Sequence, residues 1–101
     1  MKLVWTALAR EQLRVEAAYI ARSRPLAARQ WLLGLREAVD RLRQYPFSGR
    51  PVPELPNTPR REIVHGAYRV IYEARSTGVF ILSVRHSRQL VSEDEPATDD
   101  E

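Results

Sequence analysis

The chain has 101 residues, a length that fits one domain and buries roughly 60–70% of its unfolded surface. With 44% hydrophobic and 29% charged residues it falls among globular rather than disordered sequences, and no apolar run approaches the length of a bilayer span. The absence of cysteine excludes disulfides, zinc ribbons and thiol catalysis; with an N-terminal MKLVWT that lacks a signal-peptide core, we expect a cytoplasmic protein without membrane attachment.

The net charge of +3 conceals an asymmetry. Six of the thirteen acidic residues sit in the last nine positions, EDEPATDDE, so residues 1–92 carry 16 basic against 7 acidic side chains, a body of +9. Such a body favours an acidic partner, whether nucleic acid or peptide. Fifteen of the sixteen basic residues are arginine, whose fork binds phosphate in bidentate fashion, although GC-rich coding yields the same bias. The organisation expected is one domain over residues 1–91 and a disordered acidic tail over residues 92–101, poor in apolar residues and interrupted by Pro96.

In chain order, KLVW at residues 2–5 is β-prone, and Thr6 can cap the helix that follows. Over residues 7–22, Ala9, Leu13, Ala17 and Ile20 recur at helical spacing. Pro25 can open a second helix, where its missing N–H costs nothing, and Ala28, Leu32, Leu35, Val39 and Leu42 form its stripe. So short a turn makes the two helices antiparallel neighbours able to cover one face of a sheet. Trp5 and Trp31 could stack on bases, but their places at a strand end and beside a helical stripe fit core packing better.

Residues 45–61, YPFSGRPVPELPNTPRR, hold five of the seven prolines, so neither a helix nor a central strand can run through them. Two readings stand: a functional loop, or a connection to the far edge of the sheet. Three strands follow, REIVH, YRVIYEA and VFILSVRH, joined by a tight His65-Gly66 hairpin and by RSTG. The order β-α-α-β-β-β gives an α+β domain, an antiparallel meander with the N-terminal strand added at an edge or inserted beside a neighbour, and a helical hairpin on one face. The other face is expected to be bare.

Alternation along the strands puts Arg69 opposite in face to Val70, and Arg85 opposite to Val84, so both arginines would emerge on that bare face. There they could bind one phosphate, with Arg60 or Arg61 as a third cation; alternatively they are staggered and paired with Glu62 and Glu73. His86 is suited to general acid–base transfer, yet strict alternation groups it with Phe80, Leu82 and Val84, where a hydrogen-bonded structural role is the commoner one. His65, in the turn, is a weaker candidate. Two histidines without cysteine or spaced carboxylates make no metal motif, and neither a phosphate loop nor a serine-histidine-aspartate set is discernible. No cofactor is expected.

Read in order, VWTALAREQL, YIARSRPLAARQWLLGL, LRQYPFSGRPVPEL, RREIVHGAYRVIYEA and VFILSVRH resemble toxins of the ParE/RelE superfamily of bacterial type II toxin–antitoxin modules, over about residues 3 to 90. The loop from Tyr45 to Leu55 and the YRVIY…VRH pair look more like ParE than RelE. The resemblance implies the same β-α-α-β-β-β fold, a role associated with plasmid stabilisation, and a hetero-oligomer with a cognate antitoxin of the ParD-like, ribbon-helix-helix type. A ParE-like member poisons DNA gyrase and is not a nuclease. A RelE-like member cuts mRNA on the ribosome, and only then would Arg61, Arg69, Arg85 and His86 be catalytic. The chain departs from RelE: Lys2 is its single lysine, and no tyrosine follows His86. A third reading is a degenerate member that retains only antitoxin binding.

Overall fold

The computed structural model describes residues 1–92; the tail expected over residues 92–101 lies, beyond Ser92, outside the described residues. Strand β1 (Leu3–Trp5) leads into helix α1 (Ala7–Ala21) and helix α2 (Pro25–Asp40), followed by a 3-10 turn (Arg41–Arg43). Strands β2 (Arg50–Pro51), β3 (Arg60–His65), β4 (Tyr68–Arg75) and β5 (Gly78–His86) complete the sequence. The sheet has the order β1-β5-β4-β3-β2, with β1 parallel to β5 and the other pairs antiparallel.

The helices start where their sequences say. Thr6 Oγ1 accepts from the Ala9 N–H at 3.2 Å, a cap worth about 1 kcal/mol, and donates to the Ile81 carbonyl at 2.9 Å, so one hydroxyl ties α1 to β5. Pro25 occupies the first turn of α2. The two stripes meet the sheet in one core, in which Ala9, Leu13, Leu35, Val39 and Leu42 pack on Val70, Tyr72, Val79, Ile81 and Val84. Truncating Leu35, which is fully buried there, would cost about 2–5 kcal/mol.

Three details depart from the sequence reading. First, residues 45–61 contain a short strand: Arg50 and Pro51 pair with Glu62 and Arg61 at the sheet's margin, where proline's missing donor faces no neighbour. Second, the face away from the helices is not bare. Val52 and Leu55 of the proline-rich loop, with Val91 from beyond β5, pack over Ile71, and Val4, Phe80 and Leu82 form a further cluster. Third, β5 carries a bulge: Ile71 pairs with Ser83 but Tyr72 with Ile81, so Leu82 is passed over. The bulge inverts the parity beyond it, and His86 shares a face with Val84, Ile81 and Val79, not with Phe80 and Leu82.

The hairpin between β3 and β4 also closes one residue later than expected. His65 pairs with Tyr68 and stays in the strand, while Gly66, at φ +60°, takes the first turn position that only glycine fills without strain.

Candidate functional site

The candidate residues separate onto the two faces of the sheet. Arg69 and Arg85 are register partners on β4 and β5 on the outer face, as alternation predicts, and Arg60 shares that face from β3. Arg61 and His86 lie on the helix side. The four residues of the RNA-cleavage reading therefore do not converge, since the thickness of the sheet stands between the arginine pair and the imidazole.

Arg69 is fully engaged. Its Nε donates to Glu62 Oε1 at 2.9 Å, Nη2 to Glu62 Oε1 at 2.6 Å and to Glu54 Oε1 at 2.7 Å, and Nη1 to Glu54 Oε2 at 2.7 Å and to the Gln89 carbonyl at 3.0 Å. A guanidinium has five donors, and all of them are used. Glu62 is wholly buried and also receives Arg50 at 2.6 Å. The Arg69 hydrogen bonds hold the Glu54 carboxyl down to about 2, with the Val91 N–H assisting at 3.1 Å. Arg85 feels the opposite pressures: burial, and then the Arg69 charge, lower its affinity for its proton. The pairing of Arg69 with Glu62 was among the sequence expectations; Glu54 was not, and Glu73 instead pairs with Arg75 at 2.8 Å.

On the helix side, His65, Tyr68 and His86 form a register row across β3, β4 and β5. The His86 ring meets the Tyr68 ring edge-on at 5.5 Å, and Tyr68 packs on Trp31 at 4.9 Å. The Tyr68 hydroxyl donates to Glu16 at 2.9 Å, and burial together with that carboxylate pushes the phenol up to about 12. A phenol so held keeps its proton at neutral pH. Arg61 is a loop anchor: Nη1 donates to the Gly49 carbonyl at 2.7 Å and the guanidinium covers the Phe47 ring at 5.4 Å.

A groove of about 730 Å³ opens between β1 and the helical hairpin. Leu3, Trp5, Leu13 and Leu32 give it an apolar floor, and Lys2, Arg10, Arg14, Arg36 and Arg43 a basic rim that Asp40 interrupts. Strand β1 has β5 on one side and no strand on the other among the described residues. Trp5 thus serves twice, packed against the core and lining the groove. The geometry suits an amphipathic segment that is apolar toward the floor and acidic toward the rim. Sequence reading saw the basic body but not this concentration, which needs β1 and both helices side by side. Among the described residues no group of three or more histidine or carboxylate side chains could hold a metal, and no helix is long and apolar enough to cross a membrane.

Comparison with known proteins gives three findings. The family model for the ParE toxin of the type II toxin–antitoxin system parDE matches residues 3–91. A Caulobacter vibrioides protein described as Toxin RelE2 is 34% identical over 89 residues, covering 88% of this chain and 98% of the relative. A solved structure described as the chromosomal ParDE TA system from P. aeruginosa superposes with a TM-score of 0.75 at 20% identity, over 85% of this chain and 95% of that one. At that identity the last likeness concerns the fold.

Proposed function

Because this chain belongs to the ParE toxin family of type II toxin–antitoxin systems, we propose that it is a poison of DNA gyrase and not a nuclease, silenced by a ParD-like antitoxin seated in the β1 groove. The observation that carries this reading is the saturation of Arg69. A phosphate-binding arginine in a nuclease must offer donors to the transition state, and this one has none left. The separation of His86 from the arginine pair supports the same reading, as a general acid must reach the leaving oxygen within hydrogen-bond distance. The basic rim and apolar floor of the groove support an acidic, amphipathic antitoxin segment. The RelE-like alternative, a ribosome-dependent mRNA endonuclease, is kept open by the RelE name of the 34% identical relative.

The deciding experiment gives purified toxin to gyrase and, separately, to programmed ribosomes. Blocked supercoiling or trapped cleaved DNA, with mRNA intact, is the expected result. Cut mRNA on ribosomes with gyrase untouched overturns it.

A further inference from the structure

We propose that the tip of the helical hairpin, residues 19–24, is a contact for the phosphate backbone of duplex DNA, made by Arg22 and Arg24 with Tyr19 and Ser23 beside them. The choice of DNA rests on the gyrase reading, since that target holds a duplex; the contact itself rests on the charge and shape of the tip.

The sequence concentrates positive charge here without an intervening acid. Residues 17–36 contain four arginines, Arg22, Arg24, Arg29 and Arg36, and no acidic residue. Acids elsewhere are engaged: Glu11 by Arg14, Asp40 by Arg43, Glu54 and Glu62 by Arg69, Glu73 by Arg75, and Glu16 by the Tyr68 hydroxyl. Arg22 and Arg24 are exposed, and among the described residues neither side chain forms an ion pair or a hydrogen bond. Two guanidiniums so close in the chain repel each other, and a polyanion removes that repulsion.

The tip projects from the domain. Helix α1 advances along β5, with Gln12 bonded to the Val84 N–H and Glu16 to Tyr68, the register partner of His86 at the strand's end. The helix runs on from Glu16 to Ala21, about 8 Å further at 1.5 Å per residue, which carries the turn past the end of the sheet. The backbone of the turn is fixed without a ligand. The Arg24 N–H bonds to the Ile20 carbonyl at 2.9 Å, the Ala28 N–H to the Arg24 carbonyl at 2.9 Å, and Pro25 locks the entry to α2.

Tyr19, Ile20, Arg22, Ser23 and Arg24 line one open depression of about 570 Å³, with Tyr19 66% exposed. Arginine, serine and tyrosine side chains are among those that hold phosphate oxygens in protein–DNA contacts. Ile20 is the one aliphatic residue of this lining, and the exposed Leu26 is not part of it. The β1 groove, with its floor of Leu3, Trp5, Leu13 and Leu32, shares no lining residue with the tip. A peptide that must bury apolar side chains is served by the groove, and a backbone that needs cations and donors is served by the tip.

The test measures binding of the full-length toxin, without gyrase, to a labelled duplex of about 20 base pairs at about 50 and 200 mM salt, read by fluorescence anisotropy. R22Q/R24Q should bind on the order of tenfold more weakly at the lower salt, and its slope of log affinity against log salt should shrink by about 2, the worth of two phosphate contacts. R22K/R24K, which keeps both charges, should keep the slope. Arg41→Gln, an exposed change at the far end of α2, should alter neither quantity. Antitoxin affinity of R22Q/R24Q should stay within about twofold of wild type. A wild type that ignores the duplex overturns the proposal, as does an unchanged slope in R22Q/R24Q or an equal loss in Arg41→Gln. A matching loss of antitoxin affinity also overturns it, by making the tip part of the groove. So does a preference for duplex RNA, or binding through the two arginines to phosphatidylglycerol vesicles in place of DNA. Duplex binding that depends on both arginines, in a toxin that spares gyrase, leaves the contact standing and removes the gyrase reading.

Discussion

Arg69 and Arg85 stand in register on adjacent strands, two like charges side by side, and the fold tolerates them because Glu54 and Glu62 close on Arg69 from the other sides. With Glu62 fully buried and Arg69 nearly so, deleting one partner strands the other's charge. Arg69→Ala should therefore destabilise the domain by about 3–5 kcal/mol, read from chemical denaturation midpoints. Arg69→Lys should recover little, since a lysine has three donors and no fork. A loss below about 1 kcal/mol for the alanine variant would mean the cluster is dispensable.

Acid should loosen the same cluster. The Glu54 carboxyl is lowered from its ordinary 4.5 to about 2 in the folded protein, chiefly by the Arg69 hydrogen bonds. Its contribution is thus full above pH 4.5, falls as the pH drops through that window, and is gone below about 2. In Glu54→Gln the stability curve between those pH values should flatten relative to wild type. Parallel curves for the two proteins would refute the assignment.

His86→Gln separates the two chemistries. If the imidazole moved a proton, cleavage would drop by about 10²–10⁴-fold. Our reading expects growth arrest and gyrase inhibition unchanged, with a stability loss of about 0.5–1.5 kcal/mol from the edge contact on Tyr68. Dose–response curves for the two proteins on supercoiling should superimpose; an abolished activity would return His86 to the site.

The basic rim should govern how fast the antitoxin arrives. Reversing Lys2 and Arg36 to glutamate should slow association on the order of tenfold at low salt, with the difference shrinking as salt rises. Stopped-flow association at two ionic strengths measures it, and rates that ignore both the reversal and the salt would place the antitoxin elsewhere.

The sequence made much of this fold legible because its signals were local: Thr6 before α1, Pro25 opening α2, two apolar stripes, and Gly66 at the hairpin. What stayed hidden depends on residues far apart. Nothing in VFILSVRH marks Leu82 as the bulged residue, for it carries neither glycine nor proline, yet that residue decides which face His86 takes. Alternation placed Arg69 and Arg85 on the correct face but could not reveal that the proline-rich loop folds back over it, bringing Glu54 to Arg69 from fifteen residues away. The same return converts the expected bare face into a covered one.

The parallel pairing of β1 with β5 sets Leu3 beside Val79, so among the described residues the first strand finds its only neighbour in the last. During synthesis β1 has nothing to join until β5 has been made, and contacts of such sequence separation form late. A message cut short before β5 thus yields a chain without the partner of β1 and without the Val79, Ile81 and Val84 side of the core. We expect such a fragment to be inert and not a weakened toxin, because the half of the core that remains has no β5 to close on.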